Sequence, residues 1–173
     1  MGSNVNIASP GQKPLNVFLN DICGGAAGMW NMGVQNNNHE VYGVVTQSGS
    51  LLITQISPNS TGGQFDGIYK HNGVTYYWYP SDGDMPPYAG TILSGGRYFI
   101  PIVATVHTHN PCLSDGTDGI SNNDGADDFP FAAQFSSINH FVLGCNGSAA
   151  QFNSNSYYNL QTGNLSNSCS IIH

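Results

Sequence analysis

Apolar and polar positions along the first third of the chain follow two different periods. From residue 15 to residue 32, apolar residues recur at i, i+3 and i+4, which predicts an amphipathic helix despite the Gly24-Gly25 pair inside it. Residues 40–46 and 51–56 are instead rich in Val, Ile and Leu, and a short Gly/Ser turn separates them, which predicts a β-hairpin. The chain is therefore expected to begin as a helix followed by two paired strands.

The middle of the chain combines an irregular segment with a long strand. Residues 57–90 are rich in Gly, Pro and Tyr and are predicted to be an insertion, in which residues 74–79 form a strand. Residues 98–106 are largely apolar and predict a strand that ends in His107-Thr108-His109. Pro101 inside this strand indicates an edge position or a bulge.

The last third of the chain predicts a helix and a closing hairpin. Residues 121–136 predict a helix that kinks or restarts at Pro130. Residues 141–145 and 148–152 predict a hairpin through Asn146-Gly147, which is a strong type I′ turn signal. The order of the elements predicts an α+β fold with a mixed β-sheet flanked by helices.

The length of the chain fits one domain. Its 173 residues suffice to bury one core, and no internal repeat divides them. Residues 1–13 are polar and begin with Met-Gly-Ser, which is typical of a tag remnant. We therefore expect a loose arm over residues 1–13 and a single domain over residues 14–173.

Charge composition narrows the classes of partner. Charged residues make up only 8% of the chain, with 3 Lys+Arg against 10 Asp+Glu. So few cations cannot neutralise a nucleic-acid backbone or dock on an anionic membrane surface, and no apolar run approaches the roughly 20 residues of a membrane helix. The surface is expected to be rich in Asn, Ser and Gly, which is typical of exported or cell-surface domains; a cytoplasmic location is the alternative.

The four cysteines add a second indication of compartment. No pair has C-x-x-C spacing, so a zinc-thiolate knuckle is not expected. Three disulfide pairings are open, and the sequence does not choose among them. In an exported protein we expect disulfides, and in a cytosolic one buried thiols. The cysteines are Cys23, Cys112, Cys145 and Cys169.

Two histidines at the end of a predicted strand are candidate metal ligands. His107 and His109 are two residues apart, so both side chains leave the same face of the strand and can share one ion. A catalytic zinc ion takes three protein ligands and keeps a fourth position for water. Asp124 is the predicted third ligand, because it ends a Ser121-x-x-Asp124 pattern in the first turn of the predicted helix. The carboxylates after the histidines are Asp115, Asp118, Asp124, Asp127 and Asp128.

The only glutamate of the chain opens a predicted strand. A lone carboxylate there, Glu40, is a natural general base for a metal-bound water. Each feature also has a structural explanation by itself, since Ser-x-x-Asp is a common capping box and Glu40 could be a solvated charge. An EF-hand is not expected, because aligning its glycine with Gly125 puts Ile120 at the first ligand position and leaves no bidentate Glu.

In this order, Glu at a strand start, His-x-His followed closely by Pro, and Ser-x-x-Asp at a helix start resemble the JAMM (JAB/MPN) zinc metallopeptidase family. Within that family the chain resembles the bacterial branch, similar to the JAB-like domains of RHS and polymorphic-toxin proteins. The resemblance covers about residues 15–152. It implies a cytidine-deaminase-like sheet flanked by helices.

The resemblance also implies a mechanism. Zn²⁺ would be bound by His107, His109 and Asp124, with Glu40 activating the bound water and Ser121 stabilising the oxyanion. The substrate would be a peptide or protein in which an amide or isopeptide bond is hydrolysed. A non-catalytic JAB/MPN-like binding or scaffold module is the alternative.

The sequence departs from the family pattern at two points. Asn110 stands between the second histidine and Pro111, whereas the family usually has Pro directly after that histidine. The 14 residues between His109 and Asp124 are more than the pattern has, so Asp118 is the rival third ligand.

Overall fold

The computed structural model describes residues 17–57, 65, 67–79, 91–93, 97–110, 112, 120 and 127–173. Within them an open mixed sheet is flanked by helices, as the α+β prediction expected. In chain order the elements are β1 (Val17–Leu19), α1 (Ile22–Gln35), β2 (Val41–Thr46), β3 (Leu51–Ile56), β4 (Ile68–His71), β5 (Val74–Tyr79), β6 (Thr91–Leu93), β7 (Arg97–Thr108), α2 (Asp128–Gln134), β8 (Asn139–Leu143), β9 (Ala149–Phe152), β10 (Tyr157–Gln161) and α3 (Leu165–Ser168).

The sheet is organised around the 12-residue strand β7. The main strand order is β1-β3-β2-β7-β8-β9-β10, and every pair in it is antiparallel except β7 with β8. The first half of β7 also pairs with β5 and β6. A parallel pair needs a crossover connection, and α2 lies in the connection between β7 and β8. The end of β7 is therefore enclosed by its two neighbouring strands and by α2.

The two faces of the main sheet carry different helices. On one face, α1 packs on alternate residues of the central strands, among them Val41, Val106 and Phe141. On the other face, α2 contributes Ala132 to a smaller cluster with Val142 and further residues of β9. Since side chains alternate along a strand, the residue after Val106 must lie on the α2 face. That residue is His107.

Helix α1 begins later than its periodicity predicts. The prediction of helix from residue 15 was wrong for residues 17–19, which form β1 and pair with β3. Leu19 packs against the same core as α1, so its apolar position continues the helical spacing without being helical. Helix α1 packs closely at Gly25, where a Cβ would lie 2.5 Å from Cδ2 of Leu51, so a larger residue would displace that side chain.

Most of the other predicted strands are confirmed. The hairpin of β2 and β3, the strand at 74–79 and the long strand β7 are present, and β4 pairs with β5 inside the predicted insertion. A register shift near Pro101 leaves Val103 as an extra residue opposite β2, which is the predicted bulge. The turn between β8 and β9 has positive φ at Asn146 (56°) and Gly147 (72°), as a type I′ turn requires.

The predicted helix over residues 121–136 is shorter in the described region. Helix α2 begins at Asp128, so Pro130 lies in its first turn, where no backbone donor is needed, and it does not kink the helix. Residues 121–126 lie outside the described residues, as does the predicted polar arm at 1–13.

Two disulfides settle the pairing that the sequence left open. Cys23–Cys169 joins α1 to the end of the chain, and Cys112–Cys145 joins the segment after β7 to the β8–β9 turn. The second bond lies three residues beyond His109. No helix within the described residues combines the length and the apolar character needed to cross a membrane.

Candidate metal centre

The end of β7 brings the two histidines together on the α2 face of the sheet. His107 lies opposite Tyr42 of β2 and Val142 of β8, and His109 continues the pairing through its N–H to the carbonyl of Leu143 at 2.8 Å. The two imidazole ring centroids are 4.9 Å apart. Thr108 between them points to the other side and accepts a hydrogen bond from the N–H of Val41. Strand periodicity therefore gives the shared face that the sequence predicted.

The first residue of α2 supplies a carboxylate between the two rings. Nε2 of His107 is 3.2 Å from Oδ1 of Asp128, and Nε2 of His109 is 3.3 Å from Oδ2 of the same residue. The three side chains are 4%, 15% and 17% exposed, so the group is largely shielded but open to solvent at one side. One ligand atom from each residue lies within 4.8 Å of the others. This group could hold a metal ion.

The donor set and its spacing fit a small tetrahedral ion. Metal–ligand distances of about 2.0–2.1 Å put neighbouring tetrahedral ligands about 3.3 Å apart. The nitrogen–oxygen separations of 3.2 and 3.3 Å are close to that edge length, but they end on different oxygens of Asp128, and the three ligand atoms that could share one ion lie within 4.8 Å of one another. Two imidazole nitrogens and one carboxylate oxygen are borderline donors that suit zinc and its transition-metal neighbours. The geometry thus fits a metal without identifying it.

The charges of the group stabilise one another. Burial opposes ionisation of Asp128, but the imidazoles of His107 and His109 hold the pKa of its carboxyl well below the usual value. Burial also opposes protonation of His107, yet the neighbouring Asp128 carboxylate raises the pKa of that imidazole above its usual value, with a smaller contribution from Glu40. Asp128 is therefore an anion at neutral pH, as a metal ligand must be.

Glu40 lies beside this group at the start of β2. Its Oε2 accepts a hydrogen bond of 2.7 Å from the hydroxyl of Tyr42, whose ring stacks on the His107 imidazole with centroids 5.9 Å apart. The electrostatic influence of Glu40 on His107 follows from the same proximity. The only glutamate of the chain is thus linked to His107 through Tyr42, the tyrosine two residues along that holds its carboxylate.

A second tyrosine contacts the carboxylate on the other side. The hydroxyl of Tyr157, in the edge strand β10, donates to Oδ2 of Asp128 at 2.7 Å. Its ring also lies edge-on to His109, with centroids 6.2 Å apart. No motif in the sequence pointed to Tyr157, since β10 was not predicted.

Two predicted site residues lie outside the described part of the chain. Asp124 and Ser121 fall there, and so do the rival carboxylates Asp118 and Asp115. Among the described carboxylates, Asp128 is the one that the fold groups with the histidines. The roles assigned to Asp124 and Ser121 remain predictions.

Nδ1 of His107 has no hydrogen-bond partner in the described structure, although it is buried. Nitrogen Nε2 of the same ring faces Asp128, so the ring is oriented by that contact and by its stacking on Tyr42.

Comparison of the chain with family models, with curated proteins and with solved structures found no significant match.

Proposed function

We propose that this protein is a zinc-dependent hydrolase of peptide or isopeptide bonds, with Glu40 as its general base. One observation carries the proposal: two imidazoles and a carboxylate converge, and a second carboxylate, Glu40, is close enough to influence His107 from the residue that precedes the adjacent strand β2. The proposed ligands are His107, His109 and Asp128. Metal sites of catalytic zinc enzymes use three such ligands and leave one position open.

Each side chain has a separate task in the proposed reaction. Zinc in a three-ligand site lowers the pKa of water to about 7 and polarises a carbonyl oxygen. Glu40 would take the proton of the attacking water and pass it to the leaving nitrogen, as a general base and then a general acid. Tyr42 keeps the Glu40 carboxylate in place through its hydrogen bond.

The arrangement of the elements supports the resemblance to JAMM proteins. Strand β2, which directly follows Glu40, is adjacent to β7, at whose end the two histidines lie, and a helix with an acidic first residue follows. We propose the JAB/MPN-type architecture on this basis. In the proposed ligand set Asp128 replaces Asp124. The residue three positions before Asp128, where the Ser-x-x-Asp pattern has its serine, is Gly125, which has no hydroxyl.

The disulfides support the proposal of an exported or cell-surface location. Two bonds pair all four cysteines, and such bonds persist in oxidising compartments. Ser121 stays the proposed oxyanion donor, to be tested separately from the metal ligands.

The test combines metal analysis with a peptidase screen on the full chain. We expect about one zinc per chain, and Asp128→Asn should weaken zinc binding by at least about 10²-fold, since even partners that only orient metal ligands are worth about 10–100-fold. Asp124→Asn is the rival, and Asp21→Asn, at the exposed start of α1, is the matched control. Loss of zinc in Asp124→Asn with none in Asp128→Asn would refute the proposed ligand set.

Glu40→Gln separates catalysis from binding. The variant should keep its zinc while turnover falls by about 10²–10⁴-fold, because the amide cannot take a proton. Undiminished turnover in Glu40→Gln would exclude the proposed base. Stoichiometric zinc in the wild type with no hydrolysis of any peptide in the screen would favour the non-catalytic binding module.

A further inference from the structure

An aromatic cleft opens directly beside the candidate metal centre. It has a volume of about 280 Å³, and His107 and Asp128 form part of its wall. A substrate bond placed at the metal group would therefore have one of its flanking side chains at the mouth of this cleft.

Aromatic residues are the largest group in the rest of the wall. Tyr42 and Phe65 lie 4.8 Å apart by ring centroids, Phe65 and Phe131 stack at 5.1 Å, and Phe131 meets Phe135 at 5.0 Å. The rings thus run in contact from β2, next to Glu40, to the end of α2. The aromatic cleft is lined by Tyr42, Phe65, Ile68, His107, Asp127, Asp128, Pro130, Phe131, Gln134, Phe135 and Phe152.

The charged groups at the cleft indicate which side chains it disfavours. No Lys or Arg is among the described residues that line it, and its carboxylates are Asp127 and Asp128. An acidic substrate side chain would meet these charges without a cation to pair with it. An apolar side chain would instead exchange water for ring surface, which is favourable in proportion to the area buried.

We propose that the aromatic cleft binds one large apolar side chain, aromatic or aliphatic, of the peptide substrate next to the bond that is hydrolysed. The volume of about 280 Å³ has room for one large side chain and lies at the lower edge of the range for ligand pockets, about 300–1,000 Å³. The inference deepens the proposed hydrolase function and rests on it for the position of the scissile bond.

The expected preference follows from the burial of one side chain. Full burial of a Phe or Leu side chain corresponds to about a 10- to 100-fold advantage over its exposure. Because the cleft is partly open to solvent, peptides with Phe or Leu beside the scissile bond should exceed matched Ala peptides in kcat/KM by up to about that factor. Peptides with Glu at the same position should be the poorest.

A substitution on α2 tests the cleft without touching the metal ligands. Gln134 is exposed and lines the cleft, so Gln134→Trp should fill it and bring the Phe-to-Ala ratio of kcat/KM close to one. Ala133→Trp adds the same side chain at an exposed position of the same helix that does not line the cleft, and it should keep the wild-type ratio. A ratio unchanged by Gln134→Trp would overturn the assignment, as would a preference for Lys.

A binding measurement distinguishes this proposal from the hydrolase proposal. N-acetyl amides of Phe, Ala and Lys are titrated into the metal-free full chain, and binding is followed by NMR shifts with both tryptophan variants. Selective binding of the Phe amide that Gln134→Trp abolishes supports the cleft even if no peptide is hydrolysed. Hydrolysis without preference and without Phe-amide binding would overturn the cleft and leave the hydrolase standing.

Discussion

His140 gives the sharpest prediction about stability, because the fold keeps it neutral. Its Nε2 is 3.0 Å from the carbonyl oxygen of Phe135. Because a carbonyl oxygen can only accept a hydrogen bond, the proton of the neutral ring lies on Nε2. Nδ1 then accepts a hydrogen bond of 2.7 Å from the hydroxyl of Thr105. The side chain is 2% exposed. Burial lowers the pKa of His140 to about 4, only partly offset by its hydrogen bond to the Phe135 carbonyl.

The sign and the size of the pH effect follow from this shift. The unfolded chain binds a proton at His140 below about pH 6.5, while the folded chain does so only near pH 4, so the folded state loses stability as the pH falls between these values. Between about pH 7 and about pH 4.5 the loss from His140 alone is about 2 kcal/mol. Below the folded pKa the loss should level off.

The assay compares urea unfolding of the metal-free wild type and of His140→Gln across this pH range. Metal must be absent because acid also releases it. His107 contributes to the free energy of unfolding with the opposite sign, because its raised pKa adds stability at low pH that is lost as the pH rises. His107 is present in both proteins, so its contribution is removed when the result for His140→Gln is subtracted from that for the wild type. Asp128, with its lowered pKa, loses its contribution only as the pH falls through the acid range below its unfolded value.

The wild type should lose about 2 kcal/mol more than His140→Gln between the two pH values. An NMR titration of the His140 ring should give a midpoint near 4 directly. Equal losses in both proteins, or a midpoint near that of a free imidazole, would refute the reasoning that burial holds this ring neutral.

Two further predictions concern close packing and the disulfides. Gly33→Ala should lower the free energy of unfolding, because its Cβ would lie 2.7 Å from a backbone oxygen. Gly28→Ala should raise that free energy by about 0.5–1 kcal/mol, because its Cβ would have no neighbouring atom within 4 Å. Urea unfolding measures both effects. Replacing Cys23–Cys169 by serines should cost about 5 kcal/mol and replacing Cys112–Cys145 about 4 kcal/mol on chain entropy, since the bonds close 146 and 33 residues. Equal stability of the two glycine variants, or a larger cost for the shorter loop, would contradict these arguments.

The sequence predicted the strands whose residues are buried on a regular pattern. All six residues of β2 are buried, and apolar runs of this kind are visible without any tertiary information. The turn at Asn146 was equally local, since its conformation depends on two adjacent residues. Strand β10 was missed because four of its five residues are exposed and only pairing with β9 defines it.

The candidate site, like the strands, could be predicted from the sequence only in part. The shared face of His107 and His109 follows from strand periodicity alone. The third ligand does not, because several aspartates follow the histidines and the path of the connection decides which one returns to them. A signal for Asp128 was present in Pro130, since proline favours the first turn of a helix and indicated a start near residue 128.

The surroundings of the two carboxylates argue for different roles. Both oxygens of Asp128 are engaged, one by His107 and the other by His109 and Tyr157. Glu40 has a hydrogen bond at Oε2 from Tyr42, and within the described residues its Oε1 has none. A carboxylate fixed at both oxygens suits a ligand that must not move, whereas one with a free oxygen can accept a proton. These different environments support the proposed division of roles, with Asp128 as the ligand and Glu40 as the base, as in enzymes whose paired carboxylates have separate roles.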